Sequence, residues 1–126
     1  MPGFDAVIRR HLQCRLWIAE MNADIILLRI FDDHFAALSS RKKSPEARKA
    51  LEVFSKQFSE SRREIDELKH EMHLVKMKLA ASLKLPEPAG TTDVPTNHSG
   101  LEKRYKAFRK TFDKLKNDFV DFEPEQ

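Results

Sequence analysis

Apolar residues recur three and four positions apart along most of this chain, which is the spacing of one face of an α-helix. Most of the few Gly and Pro residues fall in one stretch, so the turns expected between strands are scarce. The pattern predicts an all-α fold with three helices, over residues 5–38, 45–84 and 101–122. Charged residues make up 34% of the chain, and charge combined with this spacing is typical of long helices and coiled coils.

Residue types at the helix ends support these boundaries. Ser44 suits the N-cap of the second helix, and Pro45 suits its first helical position. Pro86 ends this helix because its ring removes a backbone donor and clashes with the preceding turn. Ser99 and Glu102 have the spacing of a capping box, so we expect the third helix to begin there.

The segment between the second and third helices has a different composition. Residues 85–100 include the run PEPAGTTDVPTNHSG and show no apolar period. This composition predicts a loop, with disorder left as an open alternative. No internal repeat is present, and at 126 residues we expect residues 1–126 to form a single helical domain.

The second and third helices each carry one narrow apolar stripe, which is the pattern of a helix that packs on one side. In the second helix the stripe has one polar interruption, and its positions are Leu51, Phe54, Phe58, Ser61, Ile65, Leu68, Met72, Val75 and Leu79. In the third helix the stripe is unbroken and mostly aromatic, and its positions are Leu101, Tyr105, Phe108, Phe112, Leu115, Phe119 and Phe122.

The first helix differs, because two apolar stripes cover well over half of its circumference. The first stripe comprises Val7, Cys14, Ile18, Met21, Ile25, Leu28 and Phe35. The second stripe comprises Ile8, Leu12, Leu16, Ala19, Ala23, Ile26 and Ile30. The polar residues form a narrow strip that includes Arg9, Gln13, Glu20, Asp24 and Arg29. A helix with this distribution packs on more than one side, so we expect it at the centre of the fold.

Helix lengths predict a long antiparallel hairpin with a shorter third helix. At 1.5 Å per residue, the first two helices span about 50–60 Å and the third spans about 33 Å. A third helix that folds straight back covers only the end holding residues 5–20 and 65–84. The other end then stays open, with the apolar residues Ile26, Leu27, Ile30, Phe31, Phe54 and Phe58.

An open apolar end of this kind predicts a protein interface. The economical arrangement is a homodimer whose hairpin ends pack into a larger helical bundle. The alternative is a monomeric three-helix bundle with a thin core. The interface predicts a non-enzymatic interaction or assembly module, and no feature of the sequence predicts a cofactor.

The stretch DELKHEMHLVKMKL raises the question of chemistry, because His70 and His73 lie three residues apart on a predicted outer face. A zinc-protease motif needs its two histidines four apart, and Leu74 occupies that position. A di-iron bundle needs inward-facing Glu-x-x-His motifs on two helices. Glu67 and His70 form such a motif, but it is the only one in the sequence and it faces outward.

His70, Glu71 and Met72 resemble the start of the H-box of sensor histidine kinases, whose histidine lies on a dimerising helical hairpin. The resemblance covers about ten residues and implies a phosphoryl-accepting His70. Two positions depart from the family pattern, because His73 replaces the basic residue and the following proline is missing. The chain also lacks a Gly-rich ATP-binding box, so phosphotransfer needs a second protein. A metal- or phosphoryl-handling bundle that uses His70 and His73 is therefore the alternative function.

A zinc site joining two helices is a further possibility, because an antiparallel hairpin brings His11 and Cys14 level with His70 and His73. The first pair lies on the hairpin-facing stripe, whereas the second pair faces outward. We therefore expect Cys14 to be a small buried apolar residue and His11 to be a half-buried polar one.

Charge adds a third candidate function. The formal net charge is +3 and the pI is about 9.1, which points only weakly to nucleic acid. The third helix carries a basic patch in its first half, formed by Lys103, Arg104, Lys106, Arg109 and Lys110. We expect this patch to form ion pairs with an acidic run on the second helix, with nucleic-acid binding as the alternative. This run comprises Glu60, Glu64, Asp66, Glu67 and Glu71.

The cysteine content, the N-terminal residues and the lengths of the apolar runs bear on compartment and membrane association. A single cysteine, Cys14, cannot form an intrachain disulfide, which agrees with a cytoplasmic location. The first residues, MPGFDAVIRRHLQ, lack the apolar region of a signal peptide. The longest aliphatic run, IILL, is far shorter than the ~20 residues of a membrane span. We therefore expect a cytoplasmic protein without a membrane segment.

Overall fold

The computed structural model of the chain describes residues 3–41, 44–84 and 98–122. It contains three helices, α1 (Phe4–Arg41), α2 (Pro45–Lys84) and α3 (His98–Phe122). Apart from Gly3 and Ser44, every described residue is helical. The protein is an all-α three-helix bundle, which confirms the predicted fold class.

Hydrogen bonds at the helix ends explain where α1 and α2 begin. The Gly3 carbonyl accepts from the Ala6 amide at 3.1 Å. The Ser44 hydroxyl oxygen accepts from the Ala47 amide at 3.1 Å, so Ser44 is the predicted N-cap of α2. The third helix begins three residues early, and Ser99 therefore lies inside α3. The rest of the predicted loop, residues 85–97, lies outside the described residues.

The predicted stripes of α2 and α3 form most of the core. Every stripe position on these two helices is buried, except for Phe54 and Phe122, which are partly buried. The buried Ser61 hydroxyl donates to the Gln57 carbonyl at 3.1 Å, so the one polar interruption is satisfied within its own helix. The first stripe of α1 completes the core, with only Ile25 partly buried.

The third helix lies in the groove between the other two and runs parallel to α1. Tyr105 contacts Glu20, and Phe119 contacts Phe35, so the chain direction is the same on both helices. Along α2 the order is reversed, because Arg104 contacts Glu71 whereas Phe119 contacts Phe54. The three helices therefore run up, down and up.

The axial position of α3 differs from the prediction. Phe119 packs its ring against four phenylalanines near the turn end of the hairpin, with centroids 4.8–5.7 Å apart. These partners are Phe31, Phe35, Phe54 and Phe58. The first half of α3 contacts Glu20 and Glu71 within the ranges that were expected to be covered, but the expectation that the turn end of the hairpin stays open is wrong. Aromatic rings bury large areas and gain further from edge-to-face contact, so the aromatic stripe of α3 fits best against the aromatic end of the hairpin.

Candidate functional site

The six residues of the predicted interface divide into two groups. Phe58 is in the core, and the partly buried rings of Phe31 and Phe54 contact Phe119 of α3. This half of the predicted interface is thus an interface within the chain, because α3 occupies the end that was expected to be open. The other half remains accessible: Ile26 is 58% exposed, Ile30 is 56% exposed and Leu27 is half-buried.

Ile26 and Ile30 belong to a longer apolar surface, because the whole second stripe of α1 is exposed. Its large residues Ile8, Leu12 and Leu16 are 42%, 51% and 59% exposed, and the two alanines between them and Ile26 are exposed as well. The expectation that α1 contacts α2 and another helix is confirmed, but the expectation that its second stripe is buried is wrong for the single chain. The first stripe and residues beside it, such as Trp17 and Asp24, face α2 and α3, whereas the second stripe does not.

The two stripes lie on opposite sides of α1. Cys14, Met21, Leu28 and Phe35 follow one another at intervals of seven residues and are all buried. From Leu12 to Ile30 the second stripe alternates steps of four and three residues, which is the heptad spacing of a coiled-coil seam. This seam is about 27 Å long at 1.5 Å per residue. A contiguous exposed apolar surface of this kind is a candidate interaction site.

Polar contacts border the second stripe on both sides. On the side of α2, Lys69 donates to the Asn22 side-chain oxygen at 2.6 Å. On the side of α3, Glu20 accepts from the Tyr105 hydroxyl and lies 3.6 Å from Arg109. Residues at both edges of the second stripe thus contact α2 or α3, whereas the apolar residues of the stripe itself are exposed.

A buried ion pair between α1 and α3 is the polar feature that the sequence analysis missed. Both terminal nitrogens of Arg109 donate to one carboxylate oxygen of Asp24, at 2.9 and 2.8 Å. The Asp24 side chain is only 4% exposed. The Arg109 guanidinium also lies over the rings of Tyr105 and Phe108, 5.7 Å from each centroid. The pair thus links α1 to α3 through a buried carboxylate.

Burial governs the electrostatics of this cluster. It raises the pKa of the Asp24 carboxyl above its ordinary value, and the positive charge of Arg109 opposes this rise. It also raises the pKa of the Tyr105 hydroxyl, and the hydrogen bond to Glu20 adds to the rise. The sequence does hold a signal for the pair, because Asp24 and Arg109 are oppositely charged and each lies beside the apolar stripe of its helix.

The predicted metal ligands do not converge. His70 and Glu67 are exposed, and His73 and His11 are half-buried. Burial, followed by the nearby charges of Lys76, Lys69 and His70, lowers the pKa of His73. Among the described residues, no group of three His, Cys, Asp or Glu side chains is placed to hold a metal ion.

Cys14 is fully buried in the core, and burial raises the pKa of its thiol. A metal-ligating cysteine is a thiolate, so this environment suits the neutral apolar role instead.

The predicted basic patch forms ion pairs within the chain. Arg104 lies 2.8 Å from Glu71 and 4.0 Å from Glu64, so it pairs with the acidic run of α2 as expected. Lys106 pairs with Glu102 at 3.2 Å, and Arg109 pairs with Asp24. Lys103 and Lys110 are exposed. Three of the five cations therefore already have acidic partners inside the protein.

A groove of about 620 Å³ lies between α2 and α3. Its apolar lining comes from Phe108 and Leu115, and charged residues of both signs border it, including Glu60 and Lys114. Lys114 pairs with Asp118 at 2.8 Å on its own helix. Arg104 and Lys114, the two cations that line the groove, both have acidic partners within the chain, so the groove is a weaker candidate site than the second stripe.

Comparison with protein-family models, with curated proteins and with solved structures finds no match to this chain. Within the described residues, no helix has both the length and the apolar character needed to cross a membrane.

Proposed function

We propose that this chain is a non-enzymatic assembly module that forms a homodimer through the second stripe of α1. The observation that supports the proposal is the exposure of this stripe. Its five isoleucines and leucines are 42–59% exposed, and four of them, together with the two alanines, have the spacing of a coiled-coil seam. A helix laid along the stripe would bury these side chains and extend the bundle, which is a common mode of helix recognition.

The energetics favour a partner that contacts the whole stripe. Full burial of a leucine or isoleucine side chain contributes about 1.5–3 kcal/mol of favourable free energy. Because these side chains are about half exposed, burial by a partner would add about half of that free energy at each position. Association itself costs several kcal/mol in lost motional freedom. One or two of these contacts are therefore too few, whereas a continuous helix-on-helix contact gives a measurable affinity.

Sedimentation equilibrium over a range of protein concentrations tests the proposal. We expect a monomer–dimer equilibrium in the unmodified protein. The variant Ile30→Glu places a charge in the seam, and we expect it to weaken dimerisation about 100-fold or more. Val120→Glu is the matched control, because Val120 is 52% exposed on α3 and lies outside the stripe.

Circular dichroism must show that both variants keep their helical content. The proposal fails if the unmodified protein is monomeric at every concentration. It also fails if Ile30→Glu and Val120→Glu affect the dimer equally, because the contact would then lie elsewhere on the surface.

The same samples test the two rival functions. For metal or phosphoryl handling, the double variant His70→Ala/His73→Ala is compared with the unmodified protein by metal analysis and by phosphorylation. For nucleic-acid binding, Lys103 and Lys110 are changed to Ala, and titration with a nucleic-acid duplex at two salt concentrations measures the electrostatic contribution. The assembly proposal expects no bound metal, no phosphorylation and no tight duplex binding.

The cytoplasm is the compartment that we propose for this module. Its single cysteine is buried in the core. The fold therefore relies on helix packing without a disulfide, as is usual in reducing compartments.

A further inference from the structure

Six of the seven positions of the second stripe form a symmetric series. Between Leu12 and Ile30, two large residues are followed by two alanines and then by two large residues: Leu12, Leu16, Ala19, Ala23, Ile26 and Ile30. The midpoint of this series lies at Met21, whose own side chain is buried on the opposite side of the helix. The profile of side-chain size is therefore the same in both directions along the helix.

We propose that the partner of this stripe is α1 of a second copy, running antiparallel, with a two-fold axis at the level of Met21. The inference rests on the proposed function and adds its geometry. In this register the alanines meet at the centre, because Ala19 lies opposite Ala23 of the second copy. The large residues then pair as Leu16 with Ile26 and as Leu12 with Ile30. The small central residues let the two helix backbones approach closely.

Charges at the two ends of the stripe favour the antiparallel direction. Arg9 and Asp33 are the next positions of the same heptad series, one at each end, and both are exposed. The two-fold axis at Met21 places Arg9 opposite Asp33 of the second copy, and the pair occurs twice. A parallel arrangement would instead place Arg9 beside Arg9 and Asp33 beside Asp33. Opposite charges at both ends thus favour the antiparallel alignment over the parallel one.

The rest of the bundle leaves room for this partner. The rings of Trp17 and Tyr105 pack 5.2 Å apart on the α3 side, and Asn22 contacts Lys69 on the α2 side. Both contacts flank the second stripe and lie away from its centre. The second copy therefore approaches α1 from the side opposite the core, without displacing α2 or α3.

Two charge-reversal variants test the direction. In the antiparallel dimer, Arg9→Asp creates two like-charge contacts, and so does Asp33→Arg. We expect each single variant to weaken dimerisation about 10-fold at low salt. The double variant Arg9→Asp/Asp33→Arg restores opposite charges at both contacts, and its affinity returns to within about threefold of the unmodified protein. Arg63→Asp, an exposed position on α2, is the control and leaves the affinity unchanged.

A distance measurement gives an independent test. A spin label is attached at Ala36→Cys, which is exposed beyond the stripe, in a Cys14→Ala background whose fold is checked by circular dichroism. In the antiparallel register, the two labelled positions lie about 45 Å apart along the helix axis. In a parallel register they lie about 10 Å apart.

The outcomes separate this inference from the proposed function. A dimer that Ile30→Glu disrupts, together with a long label distance and a restored double variant, supports both. A dimer that Ile30→Glu disrupts but whose label distance is short overturns the antiparallel inference and leaves the assembly function standing. A protein that never dimerises overturns both.

Discussion

Arg109 of α3 holds the buried carboxylate of Asp24 on α1 through two hydrogen bonds of 2.8 and 2.9 Å. Removing one partner of a buried ion pair is costly, because the other charge is left without compensation. We expect Asp24→Ala to lower the free energy of unfolding by about 3 kcal/mol. Chemical denaturation followed by circular dichroism measures this loss.

Asp113 provides the control for this prediction. Its carboxylate also lies near Arg109, at 3.8 Å from the side-chain nitrogen Nε, but it is 52% exposed. Exposed ion pairs contribute little, so we expect Asp113→Ala to cost less than about 0.5 kcal/mol. Equal costs for the two variants would contradict the structural role assigned to the Asp24 pair.

The second prediction concerns the ionisation of Tyr105, which is the only tyrosine in the sequence. Burial and the hydrogen bond to Glu20 raise its pKa, so the folded protein keeps the phenol neutral at a pH where an unfolded chain ionises it. The stability linked to this group is therefore fully present below about pH 10 and is lost as the pH rises further. Ultraviolet absorbance of the phenolate measures the titration directly.

Denaturant provides the reference for this titration. In unfolded protein we expect the phenol to titrate near its ordinary pKa of about 10, and in folded protein at higher pH. Tyr105→Phe removes the absorbance change altogether. A folded-state titration near pH 10 would show that the hydroxyl is solvated and that its contact with Glu20 does not persist.

The third prediction concerns the aromatic cluster at the turn end of the hairpin. Phe119 is 1% exposed and contacts rings from both other helices. Phe119→Ala leaves a large cavity, and we expect it to cost about 3–5 kcal/mol. The adjacent Val120 is 52% exposed, so Val120→Ala is expected to change stability by less than about 0.5 kcal/mol.

Fluorescence of Trp17 reports whether α3 stays packed on the hairpin while Phe119→Ala is unfolded. It is the only tryptophan in the sequence, and its ring packs 5.2 Å from that of Tyr105 on α3. We expect the emission to change in the same denaturant transition as the circular dichroism signal. A separate, earlier fluorescence transition would indicate that α3 detaches before the hairpin unfolds.

The fourth prediction concerns a variant that is expected to strengthen the proposed dimer. In the antiparallel register, exposed Arg15 lies near exposed Arg29 of the second copy, on the flank of the stripe. These like charges weaken association, so Arg29→Glu creates two opposite-charge pairs and is expected to strengthen dimerisation several-fold at low salt. Sedimentation equilibrium measures the change, with Arg63→Glu on α2 as the control. Weaker association of Arg29→Glu would argue against this register.

Periodicity was sufficient to predict the helices and the inward faces of α2 and α3. It identified Leu68 and Met72 as packing residues and left His70 on the outside of α2, where the structure places it. Helix-capping preferences also predicted the start of α2 correctly, because the Ser44 N-cap involves only residues that are close in sequence.

Other features depend on information that periodicity does not contain. A repeating apolar stripe determines which face of α3 packs inward. It does not determine the axial position of α3, because sliding the helix by seven residues keeps the same face inward. The actual position depends on the fit of Phe119 among rings that are distant in sequence. Asp24 was assigned to the polar strip of α1 for a similar reason, since its burial depends on Arg109, 85 positions away.

We expect the Asp24 pair also to influence which side of α1 faces the core. This helix has two apolar stripes of similar length, so hydrophobicity alone would permit a rotated packing with the second stripe inside. Such a rotation would turn Asp24 away and leave Arg109 among aromatic rings without its carboxylate. We therefore expect the pair to discriminate between two otherwise comparable packings, as buried polar groups do in some helical proteins. Asp24→Leu is then a variant that keeps an apolar core while losing the preference for a single rotation of α1.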